Sequence, residues 1–233
     1  MSAFVRGMKK GIPIGVGYLS VSFTFGIMAI AYGFDWWQAV IISMTTLTSA
    51  GQLAGIGIMV IPGQYIEMLI SQLTINLRYS FMSVSLSQKT SSEFRGIKRW
   101  LLGFFMTDEI FAVASDEEEV TSVFFVGLSI MPFLGWTFGT LLGSLLGNIL
   151  PSAIMNALCL AIYGMFVAIV APRARSSKAI LTVVLFAAAL HSLFYYLPFL
   201  KTVSSGIAIS ISAIVSAVFG AVAFPIREQE DGV

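Results

Sequence analysis

Apolar runs long enough to cross a bilayer follow one another from residue 12 to residue 224, with no polar block large enough to fold as a separate soluble domain. Few architectures accept such a chain. Its 233 residues are 57% hydrophobic and 11% charged, against roughly 25% charged in an ordinary soluble domain. The expected fold class is all-α, a polytopic helical membrane protein whose single transmembrane domain takes in residues 1–233. The net charge of +1 gives no basic field for nucleic acid, and the basic residues sit in short loops. The single cysteine, Cys159, lies in an apolar run and reads as packing. It excludes an intrachain disulfide and a multi-cysteine metal site, so no cofactor or metal is expected. Arg6, Lys9 and Lys10 precede the first apolar stretch as in a secretory signal. No small-residue cleavage pattern follows and further spans do, so the stretch reads as an uncleaved first span.

Turn residues and charges divide the chain into eight apolar segments, near 12–33, 37–61, 64–88, 100–115, 120–150, 152–171, 179–199 and 202–224. Basic clusters at the N-terminus, at Lys89, Arg95, Lys98 and Arg99, and at Arg173, Arg175 and Lys178 favour the cytoplasmic side. Simple crossings from a cytoplasmic N-terminus would put the 89–99 loop outside, against its charge. The second segment is expected to resolve the conflict as a broken hairpin, because Ser49-Ala50-Gly51-Gln52, with Gly55 and Gly57, supplies small and polar residues that tolerate a helix break. The third segment then returns inside, the fourth leads out, and Asp116 to Glu119 form a hydrated outer loop. A second re-entrant or doubly crossing segment, the sixth, keeps 173–178 inside. The fifth segment would then run opposite to the first. Phe23-Thr24-Phe25-Gly26 resembles Trp136-Thr137-Phe138-Gly139, which suggests inverted repeats, 1–115 and 120–226, with broken segments. Carriers built this way hold substrate near the midplane at the repeat interface.

The third segment carries Arg78 in its middle, beside Asn76 and Tyr79. A charge at that depth costs several kcal/mol unless it is paired or faces a wet cavity. Polar residues at 72, 76, 80, 83 and 87 form one helical row, and Glu67, Ser71, Thr74, Arg78 and Ser85 a second. Such a helix can hardly face lipid on any broad side. Arg78 suits capture of a carboxylate by its guanidinium fork and equally suits a structural ion pair. The partner for that pair is Asp108 or Glu109, in Thr107-Asp108-Glu109 of the short fourth segment. One acid would pair with Arg78 and the other would load and release a proton; partial insertion of this segment, with both acids solvated, is the bland alternative.

Other features read more quietly. Gly135, Gly139, Gly143 and Gly147 form a ridge for close helix packing. Pro13 between Gly11 and Gly15 marks either a loosened start to the first segment or a plain helix start. His191, the only histidine, is a weaker candidate for a proton relay. Tyr195, Tyr196, Trp36 and Trp37 read as interface anchors.

Gly11-Ile12-Pro13-Ile14 with Gly17-Tyr18, Phe25-Gly26, Ser49-Ala50-Gly51-Gln52, Asn76-Leu77-Arg78-Tyr79 and Thr107-Asp108-Glu109 occur here in an order and spacing that resemble a known family. It is that of the AzlC/YgaZ-type large subunits of bacterial branched-chain amino acid exporters (LIV-E). The second half agrees mainly through Phe138-Gly139, the following glycines and Pro151. The resemblance implies export of branched-chain amino acids across the plasma membrane, with a small AzlD-like membrane subunit as partner; the acid pair Asp108 and Glu109 suits proton coupling, and no enzymatic activity is expected. Where the family usually has His after the Asn-Leu-Arg triplet, this chain has Tyr79, which removes a protonatable group from that position. With that reading, Ser49, Gly51, Gln52, Asn76, Arg78 and Tyr79 are the expected substrate-binding residues, and Asp108 and Glu109 the expected proton-coupling or ion-pair residues. A passive channel for small solutes and an intramembrane serine hydrolase using His191 are the competing readings. The second lacks a supporting motif: there is no His-Glu-x-x-His helix and no thiol cluster.

Overall fold

The computed structural model describes residues 2–146 and 174–225, together with positions 149, 151, 153, 167 and 170–172. Gly147, Cys159, Arg173 and nearly all of the sixth segment, 152–171, lie outside the described residues. Within them the chain is all-α. Among the described residues, four helices are long and apolar enough to cross a membrane: α1 (Ala3–Ala31), α7 (Ser122–Leu146), α8 (Lys178–Tyr196), and most of α9 (Ser205–Ala223). A fifth, α4 (Tyr65–Ser87), has 23 residues, about 35 Å at 1.5 Å per residue. Its two polar rows keep it out of that apolar set.

α1 and α7 form the backbone of the fold. They run parallel, since the sites of contact advance together from Gly7 against Phe124 to Gly15 against Met131 and Gly26 against Thr140 and Ser144. Small residues make the approach possible: a Cβ on Gly11 would collide with the carbonyl of Leu128, and one on Gly139 with Leu19 and Ser22. Gly135, Gly139 and Gly143 thus pack as the ridge expected of them. Pro13 lies inside α1, which is continuous through it, so Gly11 and Gly15 serve packing rather than a loosened start. The parallel course corrects the expectation that the fifth segment opposes the first.

The second segment is broken as expected. α2 (Trp36–Thr45) descends from the far end of α1, the chain extends through Thr46 and Thr48, and α3 (Ser49–Met59) turns back. Thr48 caps the new helix, its Oγ1 accepting from the Gly51 N–H at 3.4 Å. Leu47 at the tip reaches Tyr18 and Trp136, while Ile56 of α3 returns to Phe25 and Ala29 at the far end. α4 then runs back toward the end at which α1 starts, where Leu86 packs with Phe124 and Phe125.

The fourth segment does not cross. α5 (Ile97–Gly103) and α6 (Asp108–Ser115) have 7 and 8 residues, each about 10–12 Å long, far short of a 30 Å hydrocarbon core. Thr107 caps α6 as Thr48 caps α3, its Oγ1 accepting from the Ile110 N–H at 3.4 Å. The chain therefore returns to the side it left. Glu117 pairs there with Arg6 at 3.1 Å and Lys10 at 2.6 Å, and Lys89 Nζ donates to the Ser115 carbonyl at 2.5 Å. The run 116–119 lies with the N-terminus and the basic 89–99 loop, not on the opposite side as expected. An inverted relation does exist, between the hairpins α2–α3 and α5–α6, which enter from opposite ends. Their tips share one apolar cluster, with Leu47 from one and Phe105 from the other around Tyr18 and Trp136.

α8 and α9 form an antiparallel pair, with Phe186 stacked on Phe219 at 4.4 Å and Gly220 against Val183. Gly206 seats the start of α9 beside Ile58 and Glu67. This topology makes a direct expectation for cysteine labelling with a membrane-impermeant maleimide. Glu118→Cys reacts from the same side as Ser2→Cys, and Gly63→Cys from the other; reaction of Glu118→Cys with Gly63→Cys would overturn the re-entrant assignment of α5–α6.

Candidate functional site

Where the two tips meet α1, α4 and α7, a cavity of about 100 Å³ is lined by Ser49, Arg78, Tyr79, Asp108 and Glu109. Five residues expected from the sequence thus converge. Arg78 Nη1 lies 2.9 Å from Asp108 Oδ2, and its Nη2 donates to the Tyr79 hydroxyl at 3.2 Å. The Arg78 and Asp108 side chains remain 42% and 35% exposed, so the pair faces open space rather than a sealed core. Glu109 is held from another direction, by a hydrogen bond from the Tyr18 hydroxyl. Tyr18 also lies 2.8 Å from Thr107 Oγ1. Among the described residues, the cavity lining thus brings one guanidinium and two carboxyl groups together.

Three expected residues stand behind the cavity instead of in its lining. Asn76 Oδ1 accepts from Thr48 at 3.0 Å and its Nδ2 donates to Gln72 Oε1 at 3.1 Å. Gln72 Nε2 donates in turn to the Gly51 carbonyl at 2.8 Å. Gln52 is 2% exposed; it accepts from Trp136 Nε1 at 3.0 Å and donates to Ser43 Oγ at 3.0 Å. These groups fix the broken hairpin to α4 and α7. A side-chain network of this kind is favourable only while every member is satisfied. Trp136→Phe removes the donor to Gln52 Oε1 and is expected to lower stability by about 1–3 kcal/mol, read as a lower unfolding midpoint in detergent.

Tyr18, Leu47, Thr107 and Trp136 also line the cavity. No local pattern marks them as site residues, although Tyr18, Thr107 and Trp136 stand in Gly17-Tyr18, Thr107-Asp108-Glu109 and Trp136-Thr137-Phe138-Gly139. Tyr18 and Trp136 come from the parallel helices α1 and α7, with ring centroids 5.2 Å apart and an interplanar angle of 74°. Only the tertiary pairing brings them to the hairpin tips. His191 lies elsewhere, its Nδ1 at 3.4 Å from Ser212 Oγ. Ser212 directs its own hydrogen to the Ala208 carbonyl at 2.8 Å, away from the imidazole, which is not the arrangement of a nucleophile and its base. Among the described residues, no cluster of three His, Cys, Asp or Glu side chains could hold a metal ion.

A family model described as AzlC protein matches residues 13–150, which include both hairpins and every residue named above as lining the cavity. An uncharacterized membrane protein of Archaeoglobus fulgidus is 32% identical over 143 residues, 60% of each chain. The inner membrane protein YgaZ of Escherichia coli is 23% identical over 146 residues, again 60% of each. An uncharacterized membrane protein of Helicobacter pylori is 28% identical over 152 residues, 60% of this chain and 64% of that protein. The chain thus spans about three fifths of the length of these curated relatives. No solved structure matches it. With a family model over more than half its length and membrane proteins as its relatives, this chain belongs to the AzlC family of membrane proteins.

Proposed function

We propose that the protein is a secondary transporter that exports branched-chain amino acids across the plasma membrane, driven by protons and working with a small AzlD-like membrane subunit. The observation that carries this reading is the meeting of two oppositely inserted, broken hairpins at a cavity holding Arg78, Asp108 and Glu109. Unwound tips at midspan free backbone groups for a ligand, the recurring site of carriers built from broken helices.

A zwitterion matches the charges. Its carboxylate is taken by Arg78 and the first turn of α3 near Ser49, and its ammonium by Asp108. Leu47 and Trp136 form the apolar wall for an aliphatic side chain. Glu109, fixed by Tyr18, is the proton site, since it is the acid that Arg78 does not hold. The basic residues support a cytoplasmic N-terminus, because Arg6 and Lys10 share one end with Lys89 of the basic 89–99 loop.

Reconstitution with the small subunit, followed by labelled leucine flux with and without a pH gradient, tests the proposal. Saturable accumulation that follows the gradient is the expected result. Absence of flux for every aliphatic amino acid would remove the substrate assignment, and flux indifferent to the gradient would remove the coupling.

A further inference from the structure

A second cavity, of about 580 Å³, lies across the first turn of α3 from the central one: Ser49 lines the first and Ala50 the second. One helical turn of the α2–α3 hairpin is the partition. The second cavity extends to Tyr32 and Ile61 at the far end of the molecule, and its walls are apolar, with Met28, Leu53, Ile75 and Ile209 among them. Glu67 is the one charged residue that faces it among the described residues.

Glu67 is 8% exposed. Its Oε1 accepts from the Gly206 N–H at 3.2 Å, and it enters no ion pair among the described residues. It stands in the first turn of α4 and beside the first turn of α9, where two helix N-termini offer partial positive charge. Those dipoles reduce the cost of burying the carboxylate without supplying a cation. Two hydroxyls lie near it. Ser204 Oγ, of the same cavity lining, and Ser71 Oγ, one turn further along α4, are buried with no hydrogen-bond partner among the described residues, and buried polar groups are as a rule hydrogen-bonded. A buried carboxyl group, a hydroxyl in the same lining and apolar walls complement a primary ammonium carrying a branched aliphatic chain.

We propose that this cavity is a second binding station, in which Glu67 receives the ammonium group of the substrate while its side chain lies against the walls from α1, α3 and α9. The tip of the α2–α3 hairpin then separates the central station from the outer one, and its displacement joins them. This inference rests on the reading of the chain as a carrier of aliphatic amino acids. It is tested by a readout that needs no flux. In the full chain carrying Cys159→Ala, Ala54→Cys places a thiol in the cavity lining. Its reaction with an impermeant maleimide is timed in proteoliposomes with isoamylamine, with isovalerate, or with neither.

Isoamylamine, an ammonium without a carboxylate, is expected to slow labelling at least fivefold, and isovalerate, a carboxylate without an ammonium, to leave it unchanged. Adding Glu67→Gln, which keeps an acceptor for Gly206, is expected to abolish the protection. An unchanged rate with isoamylamine overturns the proposal without any change to the acid, and so does equal protection by isovalerate or protection that survives Glu67→Gln. Leucine flux that persists while isoamylamine fails to protect would reject the second station and leave the carrier reading standing. Protection without flux would do the reverse.

Discussion

Arg78→Ala is expected to weaken amino acid binding ten- to a hundredfold, and Asp108→Asn is expected not to restore it. The pair is 2.9 Å apart, yet its side chains are 42% and 35% exposed, and pairs open to solvent contribute about 0–1 kcal/mol to stability. Loss of a charged ligand removes hydrogen bonds of about 1.5–3 kcal/mol, tenfold in affinity for each 1.4 kcal/mol. Arg78→Lys keeps the charge but not the fork and should fall between. Equilibrium binding of labelled leucine to the reconstituted protein, across the two single variants and the double variant, separates the roles. Wild-type affinity in the double variant would mean that Arg78 only neutralises Asp108. Undiminished binding in Arg78→Ala would remove it from the site altogether.

The ion pair was legible because both partners are charges where lipid should be, and such charges seek each other or a cavity. The α2–α3 break was legible for a similar reason: the basic 89–99 loop would otherwise face the wrong way, and Ser49-Ala50-Gly51 offered a place to turn. The second hairpin was not. Trp100 to Ser115 is apolar enough to pass for a short crossing, and the break at Phe104–Met106 has no glycine or proline beyond Gly103; Thr107 alone announces the new helix. Reading that segment as a crossing then put 116–119 on the wrong side and turned the fifth segment over. Tertiary partners were the other gap. A glycine ridge states that some helix approaches closely, not that it is α1 or that it runs parallel. Tyr18 and Trp136 meet the cavity only through that pairing, so no local pattern could assign them; Gln52 and Asn76 hold the hairpin through Ser43, Trp136, Thr48 and Gln72 rather than lining the cavity.

The α1–α7 contact is where a single methyl-sized change should do most damage. A Cβ on Gly135 would lie 2.8 Å from the Gly15 carbonyl carbon and 3.0 Å from its Cα, and would collide with the carbonyl oxygen. Those atoms are backbone, so relief requires moving a 29-residue helix rather than a side chain. Overpacking of a close-packed interior typically costs 1–3 kcal/mol, and Gly135→Val should stand at about 3 kcal/mol. The neighbouring Trp136 supplies a local reporter, because its indole N–H holds Gln52 and its ring meets Tyr18. Separation of α1 from α7 should therefore alter tryptophan fluorescence together with the unfolding midpoint in detergent. Gly17→Val, on the same helix as Gly15 but with no atom of the described residues within 4 Å of its added Cβ, is the matched control and should shift stability by no more than about 0.5 kcal/mol. Equal effects from the two substitutions would mean that helix propensity, rather than the closeness of two backbones, sets the requirement for glycine here. A loss confined to Gly135→Val would identify the parallel pair as the rigid frame against which the two hairpin tips are positioned.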